Sequence, residues 1–179
     1  MKNTGKFIAY VLRHNPSAAG LVLDGRGWAD VDALIAGVRG TGRELDKQTL
    51  EEAVKGDDKG RFSFNGDCTK IRANQGHSFK VDVEMEVLAP PDILYHGTAE
   101  KYIESIRREG ILRRNRNYVH LSRDVETAIK VGSRHGRAVV LKIDTRQMYA
   151  DGHIFLLSAN GVWQTEHVPY SYVTEVTTE

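Results

Sequence analysis

The sequence predicts an α+β chain, helical at the front and β-rich behind. Three observations lead there: helical apolar spacing recurs three times before Gly56, an Asn65-Gly66 turn follows between alternating runs, and short strand-like runs dominate the second half. The 179 residues fit one domain or two small lobes, and the change of pattern favours two lobes. With 40% hydrophobic and 27% charged residues, the chain has apolar material for a core and no composition of disorder.

Lys2 to Leu12 places Phe7, Ile8, Val11 and Leu12 on one helical face, and Asn15-Pro16 stops the helix just after Arg13 and His14. A second helix carries Val31, Leu34, Ile35 and Val38 at i, i+3, i+4 and i+7, with Asp30 as N-cap and Gly40 as stop. A third runs from an Asp46 cap, with Leu45 as a hydrophobic staple, through Leu50, Ala53 and Val54 to Gly56. Phe62 and Phe64 then alternate in one strand and Ile71 and Ala73 in the return strand, so Arg72 points off the buried face. Three short helices followed by a hairpin resemble a winged-helix lobe over residues 1–80, an architecture that serves nucleic-acid binding or protein contacts.

Val81, Val83, Met85 and Val87 alternate with Asp82, Glu84 and Glu86 before Ala89-Pro90-Pro91, which makes residues 81–91 the connecting segment. Beyond it, strands are expected at Ile93–His96, Tyr118–Ser122, Ala138–Ile143, Ile154–Ser158 and Tyr172–Val176, with helices at Tyr102–Arg108 and Asp124–Val131. Residues 92–179 therefore read as a β-rich second lobe.

Several function classes drop out. A net charge of +1 lacks the basic excess of a protein that grips long duplexes, although residues 1–80 hold 13 Lys+Arg against 10 Asp+Glu and residues 81–179 hold 12 against 14. One cysteine, Cys68, makes neither an internal disulfide nor a cysteine metal cluster. No signal peptide or membrane-length apolar run is seen, so a soluble cytoplasmic protein is the expectation; a monomer is expected as well. Gly37 to Glu44 mimics P-loop glycine spacing but puts Arg43 and Glu44 where Lys and Ser/Thr are required, and no dinucleotide-binding glycine motif opens a βαβ unit. The seven histidines have no metal-ligand spacing, so no metal is expected.

Four places concentrate polar side chains. Leu12-Arg13-His14-Asn15-Pro16 closes the first helix, where cations also complement the helix dipole. Ile71-Arg72-Ala73-Asn74-Gln75-Gly76-His77-Ser78 crowds donors at a strand end. Tyr95-His96-Gly97-Thr98 and Arg116-Asn117-Tyr118-Val119-His120-Leu121-Ser122 place two histidines beside small hydroxyl residues, as a ribose-binding surface would. Ser158-Ala159-Asn160-Gly161-Val162-Trp163 is either an ordinary turn with a core tryptophan or part of a site.

With the run Gly27-Trp28-Ala29-Asp30-Val31, these segments follow the order found in the KptA family of RNA 2′-phosphotransferases, which the chain resembles over nearly its whole length. The resemblance implies a winged-helix RNA lobe joined to an ADP-ribosyltransferase-like lobe that binds NAD⁺ without a Rossmann motif. It implies a two-step reaction: an internal RNA 2′-phosphate, of the kind met in tRNA splicing, attacks the nicotinamide ribose and expels nicotinamide. Ribose O2″ of the resulting RNA 2′-phospho-ADP-ribosyl intermediate then attacks phosphorus, giving RNA 2′-OH and ADP-ribose 1″,2″-cyclic phosphate. The family's Arg-His-Arg-Arg set falls on Arg13, His14, Arg72 and Arg116, with Arg113 and Arg114 as alternatives for the last. His96, Gly97, Thr98, His120, Ser122 and Arg134 would hold NAD⁺, and Gln75, His77 and Ser78 would contact phosphate or RNA. Where protein-modifying ADP-ribosyltransferases carry a catalytic Glu, the family pattern has an apolar residue, read here as Val168.

These residue types suit that chemistry. Guanidinium forks bind a dianionic phosphate through paired charged hydrogen bonds that lysine cannot reproduce. Fixed cations stabilise the phosphorane that forms during transesterification more than the ground state. An imidazole such as His14 can assist the departing 2′-oxygen near neutral pH. The rival readings are an ADP-ribosyltransferase that caps nucleic-acid phosphate ends and a non-catalytic winged-helix module that senses NAD⁺.

Overall fold

The computed structural model describes residues 2–176 of the chain. It is a mixed helix and sheet structure whose chain divides into two compact units, Met1–Glu84 and Met85–Glu179.

The first unit contains α1 (Lys2–Arg13), β1 (Ala29–Asp30), α2 (Val31–Gly40), α3 (Lys47–Lys55), β2 (Phe62–Phe64) and β3 (Lys70–Ala73). The expected apolar stripes form its core: Ile8, Val11 and Leu12 of α1 and Val31, Leu34, Ile35 and Val38 of α2 are buried with Leu50, Ile71 and Ala73. Burying each of the larger side chains is worth about 1.5–3 kcal/mol. Asp30 and Asp46 cap α2 and α3 by accepting from Ala33 N at 2.8 Å and Thr49 N at 2.7 Å. Pro16 opens a 3-10 turn, so α1 ends with Arg13 as its last residue.

Strand β1 extends the expected hairpin to a three-stranded sheet in the order β1-β3-β2. Its Ala29 pairs with Ile71, and Ser63 of β2 pairs with Arg72. Gly37, from the P-loop mimic, lies inside α2, where an added Cβ would come 2.0 Å from Ala19 O. That glycine serves close packing and cradles no phosphate.

The second unit contains β4 (Glu86–Val87), β5 (Ile93–Ala99), α4 (Ile103–Glu109), β6 (Ile111–Leu112), β7 (Val119–Leu121), α5 (Val125–Gly132), β8 (Ala138–Asp144), α6 (Thr145–Ala150), β9 (Leu156–Leu157), β10 (Trp163–Thr165), β11 (His167–Val168) and β12 (Val173–Val176). One sheet runs β4-β9-β10-β7 and another β12-β8-β5, with β11 and β6 as a separate pair. A bridge between Tyr95 and Ser122 links β5 to the end of β7. Leu94, Leu121, Leu141, Ile143, Met148, Phe155 and Val168 build the core.

Some expected boundaries are corrected. Strand β5 continues to Ala99, so His96, Gly97 and Thr98 lie within a strand and not at its end. The Ile154–Ser158 run shrinks to Leu156–Leu157, with Ile154 exposed, and Tyr172 belongs to a 3-10 turn ahead of β12. The alternating run after Val81 is a strand only at Glu86–Val87. No helix among the described residues is long and apolar enough to cross a membrane.

Candidate functional site

In the first unit, the loop after β3 is fastened to the end of α1. Ser78 N donates to Arg13 O at 2.9 Å, and His14 Nδ1 lies 3.1 Å from Ser78 Oγ. Gly76, with φ +87, provides the turn that brings Ser78 back, a conformation glycine adopts without steric penalty. Arg13, which stacks 5.8 Å from the Phe62 ring, thereby sits with His14 at a helix C-terminus.

Arg72 reaches the same region from the sheet. Ile71 and Ala73 face the core, so the strand alternation turns Arg72 to the other side. There its guanidinium lies 4.4 Å over the Trp28 ring and donates to Glu84 Oε2 at 3.0 Å. The second carboxylate oxygen of Glu84 takes Arg26 at 3.2 Å. Trp28, Arg26 and Glu84 are absent from the sequence-derived site. Trp28 follows from register, since it precedes the Ala29–Ile71 pair and so falls opposite Arg72. Glu84, held at φ +57, has no local sequence signal.

His77 lies among these cations but is only 2% exposed, with its ring edge-on to Phe79 at 5.4 Å. Burial, then the positive charges of Arg13, His14 and Arg72, push its pKa down to about 4. At neutral pH it is an uncharged spacer beneath the cluster. Ser78 is exposed and Gln75 half-buried.

In the second unit, two histidines are oriented by their neighbours. His96 Nδ1 lies 3.0 Å from His120 O, and a carbonyl only accepts, so the proton is on Nδ1. Burial holds the His96 pKa down, the bond to His120 O offsets this in part, and the charge of Arg116 adds a smaller lowering. His120 Nδ1 instead accepts from Arg116 at 3.1 Å, which puts its proton on Nε2. The neutral pair thus combines an Nε2 acceptor on His96 with an Nε2–H donor on His120.

Arg113, Arg114 and Arg116 are all exposed by surface area, and Arg114 has φ +55. Desolvation and the nearby charge of Arg134 lower the Arg116 pKa. Ser122 exchanges backbone bonds with Tyr95 at 2.7 and 2.8 Å. Thr98 is 7% exposed, and Gly97 backs onto α5, where a Cβ would meet Ala128 O at 1.8 Å. Val168 is wholly buried in the core opposite Ile111. Trp163 is buried beneath Arg123, its indole N–H without a hydrogen bond. No group of three or more His, Cys, Asp or Glu side chains among the described residues could hold a metal ion.

The sequence matches the RNA 2′-phosphotransferase, Tpt1 / KptA family over residues 1–167. The chain belongs to this family. A probable RNA 2′-phosphotransferase of Agrobacterium fabrum is 51% identical over 171 residues, covering 96% of this chain and 92% of that one. That of Pseudomonas aeruginosa is 48% identical over 176 residues, covering 98% and 97%. That of Fusobacterium nucleatum is 48% identical over 170 residues, covering 94% and 95%.

The neutral His77 gives this KptA-family chain a pH-dependent stability. Its folded pKa of about 4 lies below the ordinary 6.5, so the unfolded chain binds the proton more readily. Stability is therefore full above pH 6.5 and declines as pH falls toward 4, by up to about 3 kcal/mol. The difference between wild-type and His77→Gln urea midpoints across that window isolates this group. Parallel profiles would show that His77 does not titrate with unfolding.

Proposed function

We propose that the chain removes an internal 2′-phosphate from RNA by transferring it to NAD⁺. The observation that carries this reading is the fastening of the loop after β3 to the end of α1, where Ser78 N donates to Arg13 O at 2.9 Å and His14 Nδ1 lies 3.1 Å from Ser78 Oγ, with Arg72 on the strand that leads into that loop. Glu84 takes up part of the positive charge through Arg72 and Arg26, and a dianionic phosphate is the ligand that complements a cluster of guanidinium and imidazole groups. In this reading residues 1–80 are a winged-helix RNA lobe and residues 92–179 an ADP-ribosyltransferase-like NAD⁺ lobe, with residues 81–91 as the connecting segment.

NAD⁺ supplies an electrophilic ribose carbon with nicotinamide as its leaving group. The donor set of the second unit fits such a ligand. The acceptor on His96 and the donor on His120 complement a ribose diol, Arg134 suits a pyrophosphate, and Arg116 is kept as the fourth member of the Arg-His-Arg-Arg set. Gly97, Thr98 and Ser122 belong to the same set, with Ser122 offering its hydroxyl because its backbone N–H and C=O are engaged by Tyr95. Arg13 and Arg72 hold the phosphate oxygens and stabilise the charge that gathers on them. His14 moves the proton to the departing 2′-oxygen through Nε2, because Nδ1 is engaged by Ser78. Gln75 and Ser78 border the phosphate, and His77 supports it from beneath without charge.

Incubation with a 2′-phosphorylated oligonucleotide should give RNA 2′-OH, nicotinamide and ADP-ribose 1″,2″-cyclic phosphate, only with NAD⁺ and undiminished by EDTA. RNA that retains ADP-ribose as its end product would instead identify a capping enzyme. Nicotinamide that is never released would leave a binding module.

A further inference from the structure

Helix α1 carries more than the end of the cationic cluster. One turn before His14, the Tyr10 ring lies 6.4 Å from the imidazole, and one turn earlier Phe7 lies 6.3 Å from Tyr10. Phe7 is half-buried against the core, whereas Tyr10 is 43% exposed. An exposed aromatic is ordinarily free to turn. This one is fixed, because Asn15 Nδ2 donates to its hydroxyl at 3.0 Å and Asn15 Oδ1 is held by Ser17 Oγ at 2.7 Å. Beyond Phe7 the guanidinium of Arg43 stacks on the ring at 3.9 Å and is steadied by Thr41 Oγ1 at 2.7 Å. Residues 2–13 contain no Asp or Glu.

We infer that Tyr10 is a stacking platform for a nucleobase next to the 2′-phosphorylated nucleotide, on an aromatic and cationic track that runs along α1 from His14 to Arg43. The occupant is single-stranded RNA. Aromatic faces accept any base, while the cations and the lack of carboxylates on the helix suit the RNA backbone. A core-packing role does not explain Tyr10, whose ring is held facing outward by a polar latch. The inference rests on the phosphotransferase reading for where the RNA lies, and it adds a requirement that the phosphate cluster alone does not impose: the substrate must offer an unpaired base beside the phosphate.

The test measures binding of short single-stranded RNAs by fluorescence anisotropy. One carries an internal 2′-phosphate, others carry in addition an abasic site on its 5′ or 3′ side, and a last lacks the 2′-phosphate. Tyr10→Ala is expected to weaken binding of the intact RNA by about 5- to 150-fold, the equivalent of roughly 1–3 kcal/mol per stacked base. The RNA abasic at the stacked position should already bind weakly to wild type and lose little more on Tyr10→Ala. Tyr10→Phe, which keeps the ring but loses the bond from Asn15, should lose much less than Tyr10→Ala. Equal losses on intact and abasic RNAs, or a Tyr10→Phe loss as large as that of Tyr10→Ala, would overturn the platform. Equal wild-type affinity with and without the 2′-phosphate would count against the phosphate site instead, and the abasic comparison would still decide on Tyr10.

Discussion

Alanine at Arg13, His14 or Arg72 is expected to let nicotinamide release outrun removal of the RNA 2′-phosphate. A phosphate is already ionised and nucleophilic, so its attack on the ribose carbon asks the protein chiefly for position. Transfer away from the RNA must in addition stabilise a phosphorane and a departing ribose oxygen, and that added charge is what the cluster meets. One charged hydrogen bond is worth about 1.5–3 kcal/mol. At roughly 1.4 kcal/mol per tenfold in rate, the second stage should slow by about ten- to a hundredfold for each variant. Single-turnover reactions would show nicotinamide formed with an RNA species that migrates more slowly than substrate or product. If all three variants lose nicotinamide release and dephosphorylation in parallel while RNA binding persists, the division of labour is wrong.

The surroundings of those residues explain which parts of the site could be read from sequence. Helices α1, α2 and α3 announce themselves because a 3.6-residue stripe and an aspartate cap are both local signals. Strand β1 has two residues, too few to show a period, and without it nothing connects Trp28 to Arg72. Strand β10 is hidden differently: Trp163, Gln164 and Thr165 are all buried, so the alternation that marks a half-buried strand is missing. Helix α6 is six residues long and gives no stripe, although its Asp144 cap is a local feature. At the site, the residue types of Arg13, His14 and Arg72 stand out in the sequence. Their joining does not, because the Ser78 latch to Arg13 spans 65 positions. The donors from Asn74 to Ser78 look alike in sequence, yet His77 is buried and Ser78 exposed, a difference set by the packing of Phe79 and Gly27 around the ring.

Gly97→Ala is expected to unfold the second unit at markedly lower temperature, without reference to any ligand. Within the sequence Gly97 reads as a place where backbone approaches NAD⁺. In the fold its missing side chain is where α5 crosses β5: a Cβ would lie 1.8 Å from Ala128 O and 2.6 Å from Ala128 C. From the other side of the same crossing, a Cβ on Gly132 would lie 2.5 Å from Thr98 O. The two glycines let helix and strand backbones touch, and neither has a positive φ, so space and not backbone conformation demands them. Overpacking a core costs about 1–3 kcal/mol when side chains can yield. Here the obstacle is main chain, which places the cost at about 3 kcal/mol or above and the fall in Tm at roughly 12–24 °C for a unit of this size. Gly5→Ala is the natural control: nothing lies within 4 Å of its added methyl, and a helical Gly→Ala change should stabilise by about 0.5–1 kcal/mol. Melting curves of both variants, recorded without NAD⁺, separate packing from binding. A Gly97→Ala protein that melts like wild type would show that α5 yields at this crossing and that close packing is not what requires glycine here.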